Sequence, residues 1–254
     1  MEKRYFRKFV VLAVSVSLVF VGFKFFSVYF LKKALGARDN AEKLHYLSKA
    51  VSLQNDEARL VRAMTYIEMN QSSAALKDLF YVSKTHPGYP VTFMYLGNVY
   101  YDMGQYQPSL DAYAAAQKLL PRYIERELLA NKSADKLSNT YGLTARQVAD
   151  NLAVKLYLDR AGTLVALRRF ADALVDVEKA RELAPLDPYV YLSRSGIYDK
   201  IGNRKLAAQD YNQAFILKKQ LEESAEKARR QIEQRLKQSP PPGRTGRVSP
   251  PAVK

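Results

Sequence analysis

The sequence predicts an all-α chain in which one membrane-spanning helix precedes a solenoid of short helix pairs. Two observations carry this. Part of the chain repeats at a fixed period: Ala63, Tyr66, Asn70 and Pro87 each stand 34 residues before Gly97, Tyr100, Gly104 and Pro121. After a gap the period returns, with Ala161, Leu164, Ala173 and Ala180 each 34 residues before Ser195, Tyr198, Ala207 and Ala214. Self-similarity at this length marks units that bury their apolar faces by stacking on neighbours. The second observation is Phe9 to Leu31, a run of 23 residues with one charge, Lys24.

Residues 1–8 form a short basic tail, with Lys3, Arg4, Arg7 and Lys8 against Glu2. The apolar run at 9–31 would extend about 35 Å as a helix, enough for a bilayer core of roughly 30 Å. Tyr5 and Phe6 flank one end and Phe25, Phe26, Tyr29 and Phe30 the other, as interfacial aromatics do. Lys24 can snorkel toward Lys32 and Lys33. The run is too long for the apolar part of a signal peptide, and the small residues of Ala34-Leu35-Gly36 lie beyond a Lys pair. An uncleaved single-pass anchor is expected. The basic tail places the N-terminus in the cytoplasm and the repeats outside it, in the periplasm if the cell is Gram-negative.

The repeat region is expected over 39–219, with units near 56–89, 90–121, 154–187 and 188–219. Half a unit precedes them. Lys49-Ala50-Val51-Ser52-Leu53 matches the end of a second helix, as in Lys179-Ala180-Arg181-Glu182-Leu183, and its first helix belongs near 24–37, ground shared with the anchor. The first unit carries Ala63, Tyr66, Asn70, Ala75, Leu79, Val82 and Pro87. The second carries Leu96, Gly97, Tyr100, Gly104, Tyr106, Tyr113, Ala116 and Pro121. The third has Ala161, Leu164, Phe170, Ala173, Val177, Ala180 and Pro185, and the fourth Ser195, Tyr198, Gly202, Ala207, Tyr211 and Ala214, with Lys219 where the Pro would stand. Small residues let two helices approach closely, rings fill the space between them, and Gly or Asn tolerates a left-handed turn. This pattern resembles the tetratricopeptide repeat (TPR), in which a first helix A is followed by a second helix B. The resemblance implies a right-handed solenoid of such pairs.

Residues 122–153 interrupt the period. Ile124, Leu128, Leu129 and Leu137 give an amphipathic helix over 122–137, stopped by Asn139-Thr140-Tyr141-Gly142. Thr144 and Gln147 form a capping box for a helix that runs into the third unit. The last helix B does not stop after Ala214: residues 218–238 hold no Gly or Pro and predict its long, mostly solvated continuation, whose 220–238 part caps the solenoid. The tail 239–254 has five of the eleven Pro together with Arg244, Arg247 and Lys254, a polyproline-leaning, disordered composition.

The formal net charge is +15, spread along the chain rather than set on one face between aromatics. That excludes no class but favours a solvated surface, with contact to anionic lipid at the basic C-terminal end, over nucleic-acid binding. With no Cys there is no disulfide framework, Cys zinc site or Cys nucleophile. His45 and His86 lack metal-ligand spacing, no catalytic motif occurs, and carboxylates such as Asp159 and Asp176 read as ordinary helix surface. No enzyme activity, cofactor or metal is expected.

The resemblance implies a protein or peptide partner held on the concave face formed by the A helices. Its groove positions fall on Met94, Tyr95, Asn98, Tyr101 and Asp102 in the second unit, Lys155 and Asp159 in the third, and Tyr189, Leu192 and Asp199 in the fourth. Asn98 and Tyr101 stand one turn apart, at positions where the repeat needs neither a small nor a core side chain. Met64 and Gly162 occupy places where a carboxylate clamp needs polar groups, so an acidic C-terminal peptide is not the expected ligand. The expected role is a membrane-anchored scaffold assisting assembly of an envelope complex. The alternative is a permanent structural subunit of a larger membrane complex.

Overall fold

The computed structural model describes residues 22–132 and 145–238. These are all helix and turn. Helix α1 covers 22–35. It is followed by α2 (Asn40–Ser52), α3 (Asp56–Glu68), α4 (Ser72–Thr85), α5 (Pro90–Asp102), α6 (Tyr106–Lys132), α7 (Ala145–Ala166), α8 (Phe170–Leu183), α9 (Pro188–Lys200) and α10 (Arg204–Gln238). The chain divides into two compact units, one ending at Pro185 and one beginning at Leu186.

In the first unit, consecutive helices from α2 to α8 pack as hairpins, and the A helices α3, α5 and α7 also touch in sequence. Local chemistry sets the boundaries. The side chains of Asp39 and Asn55 accept the backbone N–H groups of Glu42 and Ala58 and so open α2 and α3. Pro90 opens α5, where a missing N–H costs nothing. The A-to-B turns need a left-handed residue, which Asn70 (φ 57°) and Gly104 (φ 70°) supply, as Gly202 (φ 80°) does in the second unit. Arg168 (φ 59°) fills the same turn in the third pair, with a side chain that resists that conformation.

The expectation of a membrane-spanning helix over 9–31, and with it the single-pass localisation with repeats outside the cytoplasm, is overturned. Among the described residues no helix is long and apolar enough to cross a membrane. Residues 9–21 lie outside the described residues. The remainder, in α1, serves the repeats. Leu31 and Ala34 are buried in one cluster with Leu47, Ala50, Val51 and Ala58. Ser27 Oγ accepts a 3.3 Å hydrogen bond from Asn55 Nδ2, and Phe30 stacks on Tyr46. This stretch is the missing A helix of the half unit that ends at Leu53, and its inner face is spent on protein.

One other boundary differs from expectation. Pro121 does not close its unit, because α6 runs through it. An internal Pro costs a helix about 3 kcal/mol. Packing on both sides of it offsets this, since Leu120 is buried and Ile124 leans on the cluster of Met94, Tyr113, Ala116, Ala153 and Leu156. The amphipathic helix expected over 122–137 is therefore the far end of α6 as far as Lys132, and the proposed stop and the Thr144 cap lie outside the described residues. In the second unit α10 continues from its pair with α9 to Gln238. Residues 218–235 are all exposed, as expected of a mostly solvated continuation of the last helix B.

Three of the four pairs are fastened by an ion pair whose partners lie sixteen residues apart. Arg62 Nε and Nη2 donate to Asp78 at 2.7 and 2.8 Å. Arg160 Nε donates to Asp176 at 2.6 Å, and its Nη2 bonds the other carboxylate oxygen. Arg194 donates to Asp210 through two bonds of 2.8 Å. The carboxylates are buried, Asp176 at 1% exposure. Asp176 is thus no surface carboxylate, as its sequence context suggested. Side-chain hydrogen bonding to the aspartate, partly countered by burial, raises the pKa of Arg62 and of Arg160. The second pair has Leu96 and Ala112 at these places, both buried.

Asp176→Ala leaves Arg160 half-buried without its partner and should cost about 3–5 kcal/mol. Arg160→Leu with Asp176→Ala copies the second pair's solution and should recover most of that loss, measured by urea denaturation. Arg168→Gly removes left-handed strain and should raise stability by about 1 kcal/mol, read as a higher melting temperature.

Candidate functional site: a groove on the A helices

The A helices of the first unit enclose an open cavity of about 330 Å³. Ile67 lines it from α3, Asn98, Tyr101 and Asp102 from α5, Tyr113 from α6, and Leu158, Asp159 and Gly162 from α7. Asn98, Tyr101, Asp102 and Asp159 are among the residues the sequence singled out. The structure brings these four together.

The groove exists because of one close approach. Gly97 faces the ring of Tyr113, and a Cβ at Gly97 would stand 2.5 Å from it. Only hydrogen fits. The ring is 2% exposed, and its hydroxyl passes α5 to donate a 2.6 Å bond to Asn98 Oδ1. Below it, Ser109 Oγ donates to the Gly97 carbonyl at 2.8 Å and meets Thr163 Oγ1 at 3.1 Å, joining α5, α6 and α7. Burial, then the negative charge of Asp159 and more weakly of Asp102, hold the Tyr113 pKa above its ordinary value. It is therefore a fixed donor. Asn98 is correspondingly not a free groove residue. Its oxygen is committed to Tyr113, and its amide N–H groups remain.

The other expected residues are placed as follows. Met94 is 3% exposed and packs with Tyr113, Ala116 and Leu120, so it belongs to the core and not to the groove. Tyr95 is half-buried against the cluster of Leu79 and Val99, and burial raises its pKa. Tyr101 is 40% exposed, with its ring 5.6 Å from that of Tyr106. Lys155 Nζ donates to Asp159 at 2.8 Å, one turn away on α7. Tyr189, Leu192 and Asp199 are exposed on α9, in the second unit. Sequence reasoning missed Tyr113, which it assigned to packing alone. The signal was there in Gly97, the smallest residue at its repeat position, facing the largest ring.

A second cavity, of about 370 Å³, lies among α6, α7 and α8. Its arginines are already engaged, Arg160 with Asp176 and Arg169 with Asp172. Among the described residues no cluster of three metal-ligating side chains occurs.

No protein-family model matches the chain, and no curated protein matches its sequence. Solved structures do. PilF of Pseudomonas aeruginosa superposes with a TM-score of 0.57 at 13% identity, over 76% of this chain and 77% of that one. MamA (residues 41 to the end) of Desulfovibrio magneticus RS-1 gives 0.56 at 14% identity, over 79% and 96%. A chain of the Cut9–Hcn1 hetero-tetramer of the APC/C gives 0.54 at 14% identity, over 70% and 30%. These neighbours are tetratricopeptide-repeat proteins, and the likeness shows that this chain has their helix-pair fold.

Gly97→Ala should push Tyr113 out of its slot and cost about 1–3 kcal/mol in thermal or urea unfolding. The first pair has Ala63 opposite Leu79, both fully buried. Gly97→Ala with Tyr113→Leu reproduces that combination and should restore much of the loss.

Proposed function

We propose that this chain is a protein-interaction scaffold. The groove on α3, α5 and α7 holds an extended segment of a partner protein, and in doing so helps a multi-protein complex assemble. The observation that carries the reading is the groove itself: exposed Tyr101 and Asp102, the Asn98 amide and Asp159 converge on one cavity, on helices fixed from behind by Tyr113, Ser109 and Thr163. Asn98 N–H groups can meet a backbone carbonyl of an extended segment, which fixes register without demanding a sequence. Tyr101 adds apolar area with a polar tip. The fold supports this use, since helix-pair repeats present extended surfaces rather than enclosed catalytic clefts. One structural neighbour is itself a chain of a hetero-tetramer. Lys155, paired with the groove's Asp159, extends the proposed surface, and the exposed Tyr189, Leu192 and Asp199 would offer a separate contact on α9.

A photo-cross-linking residue placed at Tyr101 should capture a defined partner in cells, whereas the same group at exposed Val175 on α8 should not. Tyr101→Ala with Asp102→Ala should leave melting nearly unchanged and weaken capture at least about tenfold, the 1.4 kcal/mol scale of a lost interface contact. Equal cross-linking at both positions, or none at Tyr101, would refute the groove as the binding surface.

A further inference from the structure

Four times the described fold sets a carboxylate near a tyrosine ring, and each time an arginine joins them. Arg59 reaches Asp78 at 3.5 Å and lies 3.8 Å from the Tyr81 ring. Arg62 holds Asp78 and lies 6.0 Å from the Tyr66 ring. Arg160 holds Asp176 and lies 6.0 Å from Tyr157. Arg194 holds Asp210 and lies 5.6 Å from Tyr191. The chemistry is that of a flat cation, which can bond a carboxylate through two N–H groups and face a π cloud at once.

The groove offers the same two ingredients without the cation. Tyr101 is exposed with its ring tilted against that of Tyr106, and Asp102 beside it is exposed with no ion pair to any described residue. None of the groove's lining residues is Lys or Arg, in a chain that carries 40 of them. The neighbouring acids are already matched: Asp159 by Lys155 at 2.8 Å and Glu68 by Lys43 at 3.6 Å. Asp102 is left as the uncompensated charge of this surface, on a protein of net charge +15.

We propose that the groove recognises an arginine side chain of an extended partner segment, its guanidinium on the Tyr101 ring and its N–H groups on the Asp102 carboxylate. The inference rests on the scaffold reading and gives it a chemistry. The segment's backbone carbonyl takes the free Asn98 amide, whose orientation the Tyr113 bond sets. Lysine is a poorer fit, because an ammonium is compact and strongly hydrated and cannot lie flat on a ring. A segment rich in Asp or Glu meets Asp102 and is repelled.

The test uses the full chain and a fluorescein-labelled ten-residue Gly–Ser peptide carrying two central arginines. Its partner peptide carries citrulline at both places, which keeps the shape and removes the charge. By fluorescence anisotropy the arginine peptide should bind at least tenfold more tightly than the citrulline peptide. Asp102→Asn should erase that difference, and Tyr101→Leu should weaken the arginine peptide at least threefold, with melting temperatures unchanged. Equal binding of the two peptides, or an Asp102→Asn variant that keeps the preference, overturns the proposal. If the Tyr101 cross-linker still captures its partner while arginine and citrulline bind alike, the arginine inference falls and the groove reading stands. If the cross-linker also captures nothing, both fall.

Discussion

An arginine on helix A and an aspartate sixteen residues later on helix B set the register on which the other contacts depend. The spacing brings one turn of the second helix back to the matching turn of the first, and two parallel N–H···O bonds admit little sliding. The same interval governs the apolar contacts beside the clamp. Ala63 and Leu79 share one buried cluster at that distance in sequence, and Gly97 faces Tyr113 at the same distance in the pair that lacks the clamp. A shift of one residue would break the salt bridge and the packing together. Buried ion pairs are weak evidence for net stability, because desolvation offsets most of the attraction. Their part here is geometric. Arg62 also reaches Ser48 on α2, and Arg160 reaches Gln117 on α6, so the clamp ties a pair to the helix before it.

The second pair drops the clamp and gains the groove. With Leu96 and Ala112 in place of Arg and Asp, its joint is apolar. With Gly97 in place of Ala, α5 admits a full tyrosine ring. Tyr113 consequently belongs to two environments at once, a buried ring in the core and a hydroxyl that orients Asn98 at the surface. The polar links that remain, through Ser109 and Thr163, lie behind it. The fourth pair uses the link of Ser109 in reverse: Ser195 on helix A donates to the Ala207 carbonyl on helix B, across the same twelve-residue interval as Ser109 and Gly97.

The period of 34 made the helix pairs legible, because turn residues and small residues recur with it. Asn70, Gly104 and Gly202 advertise the left-handed turns. Arg168 does not, since nothing in an arginine announces positive φ. The clamps stayed hidden for a different reason. Each Arg and each Asp alone is an ordinary helix-surface residue, and only aligning Arg62, Arg160 and Arg194 with the aspartates sixteen beyond them shows the pattern. The stretch at 22–35 misled because an apolar face turned to protein and one turned to lipid have the same composition. What separates them is a partner, and the partner is Leu47, Ala50 and Ala58, downstream in the chain. Met94 misled in a related way: on the repeat template it stands on the concave side, but the continuation of α6 past Pro121 and the early start of α7 bury it.

Helix α10 has a mechanical meaning apart from any contact. Among its residues up to 235 the last buried one is Leu217, and it continues to Gln238 with exposed side chains throughout 218–235. Those 21 residues add about 30 Å of straight helix. A helix without packing along its length is marginal in water unless something starts it, because nucleation is the costly step. Here α9 and the buried turns of α10 supply the nucleus, and the rest only propagates. The extension is therefore helix propagated from the pair at its base. Its direction and its helicity both start at that base, so loosening the Arg194–Asp210 bond acts on the whole extension without touching a single residue along it.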